Sequence, residues 1–456
     1  MPCLALVLEL HHPLPDAGSA VGADWAPAAV ETYWPILHAL HRFAENAGGA
    51  SLTLAVSPSW MALAADPRAQ ARVRLELETR LERREGAVDP VLHQFVVKTC
   101  EGDAVRLLRQ WNGADAIDVI PTTASHTWLP SVAQDPIVAR AQIGLAAADC
   151  ARRLGARPNG VWLPFLGYAP GLETAMGASG LRFFGVAADV FVRGTVLPPG
   201  RTSGPLITPP GVAAFGVEPN PSAQAFDPQT GYGRDPRYAA PSRAVRAAFE
   251  HSRHFVDVWR DKTFSAPVGD GSPTEPIGVV AFSAHDLARA WPSGGSGEWL
   301  SQILERLRTV EGAVASSLDR YLARNPVGPL GRPGVSPGGM LAARPADSDL
   351  FDRCRTAADL LTFLVDPRRT YRPVERRTIA AMVRCLLRAQ QVDWSLPTGR
   401  GVGPDAGLER ARRHLALFHE LAGGLMAGRT DPRRLDQLDR GPSYLPEIDL
   451  DVLAAG

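Results

Sequence analysis

Short, mostly apolar runs recur along the first 300 positions, at 4–8, 52–56, 115–121, 160–163, 181–186 and 277–282. None shows a clean in-out alternation, which is the pattern of parallel strands buried on both faces. Between them the period changes. Val30, Tyr33, Trp34, Leu37, Leu40 and Phe43 fall at helical spacing and predict a helix over 25–45. Further helices are predicted over 71–86, 91–111, 136–154, 243–259 and 298–311, with another starting at Pro170. From 198 to 240 Pro, Gly and Ser dominate, and the segment reads as an irregular insertion. A polar loop covers 269–276, and a Pro/Gly-rich connector covers 326–345. Beyond 346 only helical patterns remain, including 376–391 and 408–427. Strand and helix alternate to about residue 300 and helices follow alone. The expected fold class is α/β, a parallel barrel over 1–300, then a helix and connector over 301–345 and an all-helical domain over 346–456.

In such barrels chemistry sits at the C-terminal ends of the strands. The first strand delivers Glu9, His11 and His12, and the third ends near Thr123, Ser125 and His126. The run at 277–282 leads into Ser283, His285 and Asp286. After the fourth run the chain reads Trp162-Leu163-Pro164-Phe165-Leu166-Gly167-Tyr168, with Pro164 and Gly167 marking a sharp turn. The tip of that turn is Phe165, whose side chain can neither move a proton, attack carbon nor bind a metal.

Composition removes several alternatives. Acidic and basic residues balance at 48 each, against a general nucleic-acid binder. No apolar run reaches about 20 residues, so no membrane span is expected. The five cysteines, Cys3, Cys100, Cys150, Cys354 and Cys385, are scattered and fit free thiols in a reducing compartment. The N-terminal apolar run lacks a basic leader and reads as a first core strand, so a cytoplasmic protein is expected.

Several segments together carry a family resemblance. They are Glu31-Thr32-Tyr33-Trp34-Pro35-Ile36-Leu37, Ser125-His126, Trp162-Leu163-Pro164 with Gly167-Tyr168-Ala169-Pro170-Gly171-Leu172-Glu173, and Gly231-Tyr232 with Asp235 and Tyr238. Leu386-Leu387-Arg388-Ala389-Gln390, Asp393-Trp394 and the tail over 421–451 complete them. On these the chain resembles glycoside hydrolase family 57, in its α-glucan branching-enzyme-like branch. The resemblance implies an incomplete, seven-stranded (β/α) barrel with a helical C-terminal domain, and a role in glycogen- or starch-type α-glucan metabolism. It also implies a retaining mechanism, in which two carboxyl groups stand about 5–5.5 Å apart across the scissile bond. The position of the family's Glu nucleophile is here Phe165, and that of its Asp acid/base is Ser283. Both catalytic carboxylates are therefore expected to be missing, leaving a pseudoenzyme with a groove for an α-glucan or a partner from glycogen metabolism. The alternative is an active enzyme with relocated carboxylates, such as Glu9, Asp189 or Asp286. A purely structural or interaction protein is a third reading.

Each candidate has a plainer reading beside the functional one. Glu9 and His11 suit a floor that binds sugar hydroxyls, or an ion-paired brace at the barrel mouth. Glu9, His11, His12 and His126 offer donors that suit zinc, as in the metal-dependent deacetylases on related incomplete barrels. They lack any short ligand spacing, so no metal or cofactor is expected. Tyr168 and Trp291 suit a pocket wall that stacks on sugar, or core packing. Asp393 and Trp394 would close the site from the helical domain, or pack the domains together. His285 and Asp286 form a new acid/base pair or an ordinary surface pair.

Overall fold

The computed structural model describes residues 1–15, 24–83, 90–112, 114–198, 200–219, 221–265, 275–292, 294–337, 345–366, 369–391 and 404–454. Its strands are β1 (Cys3–Leu10), β2 (Leu52–Val56), β3 (Ile117–Pro121), β4 (Gly160–Val161), β5 (Phe183–Ala187), β6 (Leu206–Ile207), β7 (Ala213–Val217), β8 (Ile277–Ser283) and β9 (Val314–Ala315). Seven of them follow the order β3-β2-β1-β8-β7-β5-β4, all parallel where they pair. The short β6 pairs antiparallel with β7, and β9 pairs with the start of β1. The sheet curls until its two edges meet, where the Trp162 N–H donates to the Pro121 carbonyl at 2.9 Å. The result is an incomplete (β/α)7 barrel followed by helices.

The unbroken apolar runs are explained by burial on both sides. Along β1, Leu4, Leu6, Leu8 and Leu10 face the surrounding helices, while Cys3, Ala5 and Val7 face the lumen. Small Ala5, Ala55 and Ala213 leave room there for Trp162, Phe183 and Phe215. Trp162 lies so close to β5 that a Cβ at Gly185 would stand 2.5 Å from its ring. Leu318, Tyr321 and Leu322, from the helix Leu318–Arg324, fill the end where the strands begin.

The segment 198–240 differs from the sequence expectation. It contains β6 and the barrel strand β7, which sits between β5 and β8. Ala213-Ala214-Phe215-Gly216-Val217 is short and flanked by Pro and Gly, and a strand covered on both faces needs no alternation to betray it. The connector has no helix or strand over 326–337 but is tied down. Over 329–336 its backbone is tied by hydrogen bonds of 2.8–2.9 Å to Thr195, Ile207, Val190 and Tyr168.

The C-terminal helices are Pro345–Leu364, Pro373–Ala389, Pro404–Met426, Pro432–Leu438 and Asp451–Ala454. They join the barrel at the loop after β3. The Gln142 amide nitrogen donates to Ser125 Oγ at 2.8 Å and to Gln390 Oε1 at 2.9 Å. The Thr127 hydroxyl donates to the Gln390 carbonyl at 2.7 Å, and the Tyr444 hydroxyl donates to the Ala124 carbonyl at 2.8 Å. All five cysteines are buried free thiols. No described helix is long and apolar enough to cross a membrane.

Candidate functional site

The lumen-facing register of β1 and β8 sets the floor of the site. Glu9 pairs with Ser283 across these strands, and both continue the inward positions of Val7 and Val279. In the loop after β3, His126 takes a left-handed backbone at φ 54°. Its Nδ1 lies 3.4 Å from Glu9 Oε1, with both side chains largely buried. The His126 ring stacks on His11 at 3.6 Å with 5° between the planes. His11 Nδ1 in turn lies 2.9 Å from Ser57 Oγ, the N-cap of the helix Pro58–Ala64. A carboxylate, two imidazoles and two hydroxyls therefore converge at one end of the barrel.

The turn after β4 forms the opposite wall. Phe165 and Leu166 both take left-handed backbone, at φ 56° and 55°. Such angles are rare without glycine and persist where the surroundings enforce them. Here the Leu166 and Gly167 N–H groups donate back to Leu163 and Pro164 carbonyls at 2.9 and 3.1 Å. Ser336 of the connector accepts from the Tyr168 N–H at 2.9 Å and donates to the Leu166 carbonyl at 3.3 Å. The Phe165 ring meets His126 edge-on at 5.4 Å. It is half-buried and packs, with Phe351 of the helix Pro345–Leu364, against Trp128. Trp128 lies on Gly167, where a Cβ would stand 2.5 Å from the indole.

The remaining sequence candidates divide by location. Ser283 caps the helix Ala284–Ala290 in a reciprocal box with Asp286. Its hydroxyl donates to Asp286 Oδ2 at 2.8 Å and accepts from the Asp286 N–H at 3.0 Å. Asp286 also pairs with Arg289 at 3.6 Å. His285 is exposed on the same helix. Asp189 is exposed and paired with Arg193 at 2.7 Å. Tyr168 is fully buried, stacked on Phe184 at 5.3 Å, and its hydroxyl donates to buried Glu173 at 2.9 Å. Burial, with the Glu173 carboxylate beside it, raises the Tyr168 pKa far above the usual phenol range. Trp291 is buried against Trp299 at 4.7 Å. Asp393 and Trp394 lie outside the described residues. Thus Glu9, His11, His126, Phe165 and Ser283 meet at the mouth, Asp286 adjoins them through Ser283, and Tyr168 and Trp291 belong to the core.

Sequence reasoning missed Ser57, Trp128 and Phe351. Trp128 follows His126 by two positions and lies at the same strand end. Ser57 reads locally as a helix cap, and nothing near Phe351 marks it as facing the barrel. Among the described residues, no group of three or more His, Cys, Asp or Glu is placed to hold a metal ion.

Comparisons with known proteins agree with this architecture. A family model described as "1,4-alpha-glucan branching enzyme, C-terminal" matches residues 354–452. The chain is 26% identical to the "probable 1,4-alpha-glucan branching enzyme" of Mycobacterium tuberculosis H37Rv, over 94% of this chain and 93% of that one. Among solved structures, a GH57-type branching enzyme from Pyrococcus horikoshii superposes with a TM-score of 0.85 at 20% identity, covering 99% of this chain and 97% of the other. The α-amylase AmyC from Thermotoga maritima gives a TM-score of 0.83 at 20% identity, covering 100% and 99%. Both structural likenesses concern the fold.

Proposed function

We propose that this chain, a branching-enzyme-like protein of glycoside hydrolase family 57, binds an α-glucan at the barrel mouth without making or breaking glycosidic bonds. The observation that carries the reading is Phe165, at the tip of the turn where the family resemblance puts the nucleophile. A phenyl ring cannot form the covalent glycosyl intermediate that retention requires. The partner position supports the same reading. Ser283 is a hydroxyl engaged in capping a helix, and its pKa is far too high to protonate a leaving oxygen near neutral pH. Glu9, His11 and His126 remain as hydrogen-bonding groups suited to sugar hydroxyls. Such a protein acts beside active enzymes of α-glucan metabolism, as a holder of chains.

A second reading has one specific observation in its favour. Glu9 and Asp286 both adjoin Ser283, so two carboxylates flank the acid/base position. Against it, Asp286 is engaged by the capping box and by Arg289. The deciding experiment incubates the purified chain with amylose and follows branch formation and new reducing ends. No turnover above buffer is expected. Turnover that is abolished by Glu9→Gln or Asp286→Asn would overturn the proposal in favour of relocated carboxylates.

A further inference from the structure

We infer that Phe165 and Phe351, backed by buried Trp128, form an aromatic platform for the apolar face of a glucosyl ring, with Glu9 and His126 at its polar edge. This deepens the reading of the mouth as a non-catalytic glucan site and rests on it. The three aromatics come from three separate places: the turn after β4, the loop after β3, and the first C-terminal helix. They form a small apolar cluster of their own, apart from both the outer core and the lumen. Phe165 and Phe351 are half-buried and supply the accessible rings, while Trp128 is buried behind them. The platform is held stiffly. Leu166 and Tyr168 are tied to Ser336, and Trp128 rests on Gly167.

The chemistry beside the cluster selects the ligand. His126 touches the Phe165 ring at 5.4 Å and faces Glu9 at 3.4 Å. A wholly apolar ligand would leave the polar groups of Glu9 and His126 at the edge of the cluster unmatched. A neutral pyranose matches both halves, since it offers C–H groups on a face and hydroxyls around its edge. Phe165 then gains a positive role. It replaces a reacting group with a binding surface, and it does so jointly with a residue of the helical domain.

The opposite expectation would be that a carboxylate at position 165 improves the protein. The platform predicts that Phe165→Glu weakens glucan binding and creates no turnover. The test is calorimetric titration of the full chain with maltoheptaose, with thermal melts to establish that each variant is folded. The wild type should bind saturably. Phe165→Leu and Phe351→Leu should each raise Kd about fivefold or more, and Phe165→Trp should stay within about twofold. Phe363→Leu, on the exposed side of the same helix as Phe351, should leave Kd unchanged. If Phe165→Leu fails to fold, Phe351→Leu decides alone. Undiminished binding by the leucine variants together with its loss in Glu9→Gln would overturn the platform and leave the glucan reading standing. Absence of binding in the wild type, to maltoheptaose and to glycogen alike, would overturn both.

Discussion

At the scale of residues, the site depends on close approach. Gly167 lets the Trp128 indole lie against the turn, and a methyl group there would collide with it at 2.5 Å. Gly167→Ala is expected to cost about 1–3 kcal/mol through overpacking, read as a lower denaturant midpoint at unchanged slope. Tyr168 shows how a residue in a motif can serve the frame instead of the ligand. Tyr168→Phe leaves Glu173 Oε2 with the Gly171 N–H alone at 2.8 Å. A loss of about 1–2 kcal/mol is expected in chemical denaturation. Glu9, His126 and Ser283 were legible because strand ends in a parallel barrel converge by topology. The placement of Tyr168 was not, because a Tyr after a turn reads the same whether its ring points to the mouth or to the core. Only the partners, Phe184 and Glu173, decide that.

Ser283 belongs to the next scale, where it ends β8 and caps the helix that follows. Ser283→Ala should cost about 1 kcal/mol by removing the cap of the helix Ala284–Ala290, measured as a lower thermal midpoint. Ser283→Asp supplies an equally good capping group but sets a second carboxylate against Asp286. Its midpoint should fall further behind the wild type at pH 8 than at pH 3, and no turnover of amylose should appear. The strands that could be read from sequence were those with continuous Val, Ile and Leu runs, such as β1 and β8. The barrel strand β7 was hidden because Ala and Gly fill most of it and Pro-rich chain surrounds it. Of these small residues only Ala213 faces the lumen, beside Trp162 and Phe183, while Ala214 lies in the outer core and a Cβ at Gly216 would stand 2.8 Å from Thr202.

For the whole molecule, the floor of the barrel carries a titrating group. Burial first, and then the nearby Asp319, push the Asp118 carboxyl from 3.8 up to about 7, against a lowering by Arg182. The native state therefore keeps this proton at pH values where the unfolded chain has released it. The contribution of Asp118 to stability is greatest below about pH 4 and is lost as pH rises toward 7. Asp118→Asn should remove that slope and raise the stability at pH 8 by about 1 kcal/mol or more, measured by urea unfolding across pH. At the domain boundary, Gln390→Ala takes away one of the two acceptors of the Gln142 amide. A loss of about 1 kcal/mol is expected in the thermal transition, with the domains still melting together. The order of barrel and helices could be read from changing periodicity. How the helices dock could not, because Gln142, Thr127 and Gln390 are ordinary polar residues until the fold brings them together.

The hydrogen bond from Trp162 to Pro121 makes the barrel a ring with a seam. Its two margins are β3 and β4, and the indole of Trp162 is wedged inside the join. Both unpaired edges of the sheet face each other there, so neither offers itself to a neighbouring molecule while the seam is shut. The turn bearing Phe165 starts two residues past Trp162. Whatever steadies that turn also steadies the join, and any breathing of the barrel should start at this line. Amide exchange at Trp162 would report it, faster than at Val7 in the middle of the sheet and slowed when the mouth is occupied.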